Sequence, residues 1–187
     1  MNRRDIPNVI SVLRMLLVLP VIWALLQREF GLALVLFAVA GVSDALDGFL
    51  AKHFSWQSRL GSILDPLADK LLLVSSFITL TWIGFIPLWL LIAVMVRDLM
   101  IVIGGVAFHY LFTRFDMQPS RISKVNTFFQ IIFVLAVVFY HGDFAFTPWL
   151  IEALGYIVLA TTVISGADYA WVWGRRAVEV KKQMNSQ

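Results

Sequence analysis

The 187-residue chain contains no cysteine, which excludes disulfides, thiolate-held metals and a cysteine nucleophile and leaves carboxylates to carry any metal. Charge is scarce as well: 14% of residues are Asp, Glu, Lys or Arg, where soluble domains carry about a quarter. Only three histidines occur, His53, His109 and His141, and their scatter reads as interfacial placement rather than a ligand set. No internal repeat, low-complexity tract or long linker interrupts the chain, so a single domain over residues 1–187 is expected. What is present is apolar surface, with 60% hydrophobic residues, and the chain reads as an integral membrane protein. Nucleic-acid binding is a poor reading, because the basic residues sit between apolar segments and form no recognisable nucleic-acid motif.

Hydropathy predicts an all-α bundle of six transmembrane helices at about 7–27, 31–52, 61–82, 86–112, 121–140 and 148–173. Met1-Asn2-Arg3-Arg4 precedes an apolar run to Leu26 that is too long for a signal peptide and has no small-x-small cleavage site, so this segment is expected to be retained. Arg3, Arg4, Lys52, Arg59, Arg114, Arg121, Lys124, Arg175, Arg176, Lys181 and Lys182 fall on one side of this layout. The opposite connections carry only Arg28. The positive-inside rule then puts both termini in the cytoplasm.

Against this background stand Asp44, Asp47, Asp65 and Asp69, four carboxylates within 26 positions. A charge near the bilayer centre costs roughly 2.5–3.5 kcal/mol on insertion scales, so the cluster demands a compensating partner. Spacings of three and four put each pair on one helical face, and the short connection over His53 to Leu60 predicts antiparallel neighbours whose four acids converge. Hard oxygen donors select Mg²⁺, Mn²⁺ or Ca²⁺, and two such ions neutralise the cluster and hold a pyrophosphate. Gly48 and Ala51 continue the same surface with almost no side chain, which lets a nucleotide approach the backbone.

The combined pattern, Asp-x2-Asp-Gly-x2-Ala-Lys-x8-Gly-x3-Asp-x3-Asp over residues 44–69, resembles the signature of the CDP-alcohol phosphatidyltransferases at every fixed position but one. That one is Lys52, where the family usually has Arg; lysine keeps the charge and loses the bidentate fork. The resemblance extends through the six-helix layout. It implies attack by an alcohol on the lipid-linked phosphorus of CDP-diacylglycerol, with release of CMP. It also implies Asp44, Asp47, Asp65 and Asp69 as ligands of metal cofactors, two Mg²⁺ or Mn²⁺ ions, with Asp69 the base. Asn8, Ser11, Asp44, Gly48, Ala51, Lys52, Arg59 and Gly61 are then CDP-diacylglycerol-binding, and Arg14, Arg97, Arg121 and Lys124 acceptor-binding. A homodimer is implied too; the positive-inside orientation makes the site face the cytoplasm, and the compact chain suggests a bacterial inner membrane.

Within the family, Asp65-Pro66-Leu67-Ala68-Asp69-Lys70, Arg97-Asp98 and Ile122-Ser123-Lys124-Val125-Asn126-Thr127 are most similar to the CMP-forming cardiolipin synthases. Phosphatidylglycerophosphate synthases commonly show Gly-Lys-x-Lys-Thr where this chain has Ser123-Lys124-Val125-Asn126-Thr127, one cation fewer. A singly charged phosphatidylglycerol acceptor suits that loss better than the phosphomonoester of glycerol 3-phosphate. Plainer readings stand beside these: Asn8 and Ser11 as caps of the first helix, Arg97 paired with Asp98, Arg121 and Lys124 as positive-inside charge, and Trp23, Trp82, Trp89, Trp149, Trp171 and Trp173 as an aromatic belt. Two other classes are an ion or proton transporter, for which repeated halves and broken helices are wanting, and a membrane scaffold, which needs no acids.

Overall fold

A computed structural model describes residues 6–54, 61–111, 120–142 and 147–184. Among these residues the chain forms six helices and no strand: α1 (Ile6–Leu26), α2 (Phe30–His53), α3 (Gly61–Trp82), α4 (Leu88–Leu111), α5 (Arg121–His141) and α6 (Pro148–Met184). Four segments are long and apolar enough to cross a membrane, Asn8–Leu26, Phe30–Leu50, Arg121–His141 and Pro148–Val172. The expected boundaries agree to within two residues everywhere except at the end of α6, which runs to Met184 rather than stopping near 173. Hydropathy ends the apolar span there. It does not end the helix, because Arg175 to Gln183 contains good helix formers and no proline or glycine.

The chain divides into two compact units. The first holds α1, α2, α3 and α5 from Val134 onward. Its centre is α1, which packs on both α2 and α3. Ser11, Arg14, Val18, Val21 and Leu25 form one buried stripe along α1 at helical spacing, polar at one end and apolar at the other. Ala33, Ala40 and Asp47 on α2 are buried at intervals of seven, so small side chains let that helix come close before the acid is reached. Outward, Leu13, Leu16, Leu19 and Trp23 on α1 and Val35, Val39, Val42, Leu46 and Phe49 on α2 form exposed apolar stripes. A surface that apolar is stable against lipid rather than water.

The C-terminal ends of α1 and α3 are Schellman turns. Glu29 N–H bonds Ala24 O at 2.9 Å and Arg28 N–H bonds Leu25 O at 3.1 Å, with Arg28 in the left-handed region at φ 60°. Phe85 N–H bonds Leu80 O at 2.8 Å and Gly84 N–H bonds Thr81 O at 3.0 Å, with Gly84 at φ 85°. Phe85 stacks on His141 at 3.6 Å and lies 5.7 Å from Phe30, with the Arg28 guanidinium over its ring. The ends of α1, α3 and α5 and the start of α2 therefore meet at one end, so α2 runs against the other three.

The second unit holds α4, α5 up to Phe133, and α6 from Trp149. Each helix buries three residues at i, i+4 and i+7: Leu90, Val94 and Arg97; Asn126, Gln130 and Phe133; Val158, Thr162 and Ser165. Leu90 and Phe133 meet Gly155, where an added Cβ would touch the phenyl ring at 3.5 Å. Arg97 reaches Ser123 and Ser165 at the other end. Within this unit α4 and α6 run together and α5 runs against them.

Candidate active site

Asp44 and Asp47 lie in the last three turns of α2, and Asp65 and Asp69 in the first three turns of α3. They converge on the polar end of the α1 stripe. Arg14 Nη1 donates to Asp44 Oδ1 at 2.5 Å and also to Asp69 Oδ1, while Nη2 donates to Asp47 Oδ2. One turn earlier Ser11 Oγ donates to Asp65 Oδ1. Rising from Ser11 to Arg14 thus matches rising from Asp65 to Asp69, which fixes α1 and α3 as parallel. Among the described residues α1 joins the two acid pairs, packing on both α2 and α3, while the α2 to α3 connection invoked from the sequence lies outside them over residues 55–60.

The site has an inside and an outside. The Arg14 side chain is 1% exposed and that of Asp47 3%, whereas Asp44 and Asp69 are 48% and 52% exposed. Two carboxylates about 5 Å apart repel by roughly 3 kcal/mol at an effective dielectric of 20, so four of them stay gathered only around positive charge. Arg14 supplies one such charge from behind. Its remaining donor, Nε, is buried without an acceptor, so the guanidinium is committed to the acids through its two terminal nitrogens alone.

The donor set fits hard divalent cations, since it consists of carboxylate oxygens only. As the side chains stand, no three carboxylates or histidines among the described residues are spaced to hold a metal ion. Three of the acids close on the guanidinium instead, each through one oxygen. Gly48 follows Asp47 on α2, and a Cβ built there meets nothing within 4 Å. Packing among the described residues therefore does not require glycine at this position, and they leave the space over it open.

The other expected site residues fall in different settings. Ser11 lies well inside α1, which excludes the capping role, and Asn8 lies in the first turn of the same helix. Ala51, Lys52 and Gly61 belong to helices, with their side chains outside the described residues, and Arg59 lies outside them altogether. Arg121 and Lys124 are exposed on the first turn of α5. Arg97 is buried in the second unit with every donor nitrogen engaged: Nε bonds Ser165 Oγ at 3.1 Å, Nη2 bonds Ser165 Oγ and Ser123 Oγ at 2.6 Å each, and Nη1 bonds Asp98 at 2.6 Å. The pairing with Asp98 holds, and the two serines extend it into a clamp across three helices.

Sequence reasoning missed Arg14 as the partner of the acids. The signal was present: an arginine inside an apolar run needs an anion, and Ser11-x2-Arg14 has the helical spacing of Asp65-x3-Asp69. It also missed Asn126, whose Oδ1 accepts from Thr161 and Thr162 at 2.9 and 3.0 Å.

Comparison with known proteins identifies a family. The profile of the CDP-alcohol phosphatidyltransferase family matches residues 4–166. Human cardiolipin synthase (CMP-forming) is 33% identical over 201 residues, covering 97% of this chain and 65% of the human protein. The Streptomyces coelicolor protein of the same name is 40% identical over 104 residues, 52% of this chain and 48% of that one. CDP-diacylglycerol–glycerol-3-phosphate 3-phosphatidyltransferase of Aquifex aeolicus is 31% identical over 169 residues, 88% of this chain and 93% of that one. The chain thus spans about two thirds of the human relative's length and nearly all of the Aquifex protein's. By profile, by relatives and by the aspartates it gathers, the chain belongs to the CDP-alcohol phosphatidyltransferase family.

Proposed function

We propose that this chain transfers the phosphatidyl group of CDP-diacylglycerol to a hydroxyl of phosphatidylglycerol, giving cardiolipin and CMP. The bond from the acceptor oxygen to the lipid-linked phosphorus forms, the bond from that phosphorus to the CMP phosphate breaks, and the hydroxyl proton passes to Asp69. The observation that carries this reading is the gathering of Asp44, Asp47, Asp65 and Asp69 at one end of α1, beside the open backbone of Gly48.

Divalent-metal dependence is general in the family, and two Mg²⁺ or Mn²⁺ ions held by the four aspartates would supply charge stabilisation at the pyrophosphate. The chain does the rest. Asp69, half exposed, is reachable by an acceptor hydroxyl, and next to dications its carboxylate positions that hydroxyl more than it drives proton transfer. Gly48 and Ala51 let the nucleotide lie against α2, with Asn8, Ser11, Lys52, Arg59 and Gly61 around it. Arg121 and Lys124 meet the acceptor phosphate.

Asn126 favours the lipid acceptor over glycerol 3-phosphate. It occupies the place of the second lysine in the Gly-Lys-x-Lys-Thr stretch, and it is fully buried against the two α6 threonines. The phosphomonoester therefore lacks a cation there. The Aquifex relative's name favours the other acceptor and keeps it as the second reading.

On the same proposal all six helices span a bacterial inner membrane, both termini and the aspartates face the cytoplasm, and two chains form a homodimer. The test is purified protein in mixed micelles with CDP-diacylglycerol and Mg²⁺ or Mn²⁺, offered phosphatidylglycerol or glycerol 3-phosphate separately. Cardiolipin and CMP with phosphatidylglycerol alone support the reading. Phosphatidylglycerophosphate with glycerol 3-phosphate alone replaces the acceptor, and no CMP with either refutes it.

A further inference from the structure

We infer that Arg14 and Ser11 are positioning residues, an inner layer on α1 that holds one oxygen of each aspartate from behind so that the opposite oxygens are set for divalent cations on the open side. This rests on the proposed metal-assisted reading of the same site.

Three observations carry it. Arg14 and Ser11 engage a single oxygen of each acid: Oδ1 of Asp44, Asp65 and Asp69, and Oδ2 of Asp47. The second oxygen of each lies outside these four bonds. Burial is one-sided, since Arg14 is sealed while Asp44 and Asp69 are half open, so an incoming ion meets carboxylate before guanidinium. The fork is also used unusually: Nη1 serves two acids from two helices, and Nε, buried, serves none. A lone ion pair would be satisfied by a bidentate fork on one carboxylate. This arrangement instead spaces α2 acids against an α3 acid.

The donor count agrees. Among the described contacts, one guanidinium and one hydroxyl serve four carboxylates, and an excess of carboxylate oxygen suits divalent cations. Without Arg14 the four acids repel one another in a poorly solvated place, and they spread apart. Ligands held by partners of their own bind metal better, and loss of such a partner weakens affinity by roughly 10–100-fold.

The experiment titrates Mn²⁺ alone into detergent-purified wild type, Arg14→Gln, Arg14→Lys and Ser11→Ala, reading free Mn²⁺ by electron paramagnetic resonance and folding by circular dichroism on heating. Arg14→Gln is expected to bind Mn²⁺ at least tenfold more weakly. Arg14→Lys, which keeps charge but offers a single nitrogen, falls between it and wild type, and Ser11→Ala weakens binding several-fold with no change of charge. Equal or tighter Mn²⁺ binding by a folded Arg14 variant overturns the inference, because Arg14 is then a competitor of the metal. Should neither Arg14 variant fold, Ser11→Ala decides, and unchanged affinity there overturns it equally. Wild type that takes up no Mn²⁺ removes the metal reading itself and this inference with it.

Discussion

Asp69 and Gly48 sit on facing sides of one question, which is whether a side chain serves the fold or the reaction. Asp69 is bonded to Arg14 yet half exposed, so its charge is not needed to fill a core. Asp69→Asn keeps the shape and an acceptor oxygen, and CMP release is expected to fall by about 10²–10⁴-fold with thermal melting little changed. Gly48 gives a sharper sign test. A methyl group there meets nothing among the described residues, and Ala is the better helix former by up to about 1 kcal/mol. Gly48→Ala is therefore expected to hold or raise melting temperature while kcat/KM for CDP-diacylglycerol drops roughly tenfold or more. A variant equally active and equally stable would show that nothing approaches that backbone.

At the scale of elements, the two buried arginines differ in what they join. Arg14 ties α1 to acids on α2 and α3, whereas Arg97 ties α4 to hydroxyls on α5 and α6 and to its own neighbour Asp98. Arg97→Ala removes the bonds that tie α4 to Ser123, Ser165 and Asp98, and loss of a buried hydrogen-bonding partner costs about 1–3 kcal/mol. The expected result is loss of folded protein on heating in detergent, with Mn²⁺ affinity retained in whatever remains folded. Gln130, one turn from Asn126 on α5, is fully buried with both amide atoms unpartnered. Replacing such a group by an apolar one of similar shape removes a desolvation cost of about 1–3 kcal/mol. Gln130→Met is expected to melt at the same temperature or higher, and a lower melting temperature would reveal a polar partner for that amide.

For the whole molecule, the alternating helix sense found within each unit is what serial membrane crossing produces. The absence of native cysteine makes the chain its own scanning background. Gln27 precedes α2 and Phe54 follows it, both exposed, separated by a 24-residue helix that spans about 36 Å. In sealed inside-out vesicles, Phe54→Cys is expected to react with an impermeant maleimide and Gln27→Cys only after permeabilisation. The reverse pattern would invert the proposed topology. Removal of divalent ions with a chelator is expected to stop CMP release, and Mg²⁺ or Mn²⁺ to restore it; release that continues would refute the metal-assisted reaction.

The sequence by itself determined the helices, the apolar exterior and the residues of the aspartate pattern, because these depend on local periodicity and on composition. All six helix starts and five of the six helix ends follow from where apolar runs begin and stop, and the three- and four-residue spacings put each acid pair on one face whatever the helix packs against. The end of α6 escaped for the same reason, since hydropathy reports the lipid boundary and not the hydrogen-bonded backbone beyond it. Tertiary structure alone decided that Arg14 on α1 faces the acids of α2 and α3, and that Arg97, besides Asp98, engages Ser123 and Ser165. Such pairings between helices lie between 26 and 68 positions apart in sequence, and only packing chooses among partners of equal chemistry at that separation.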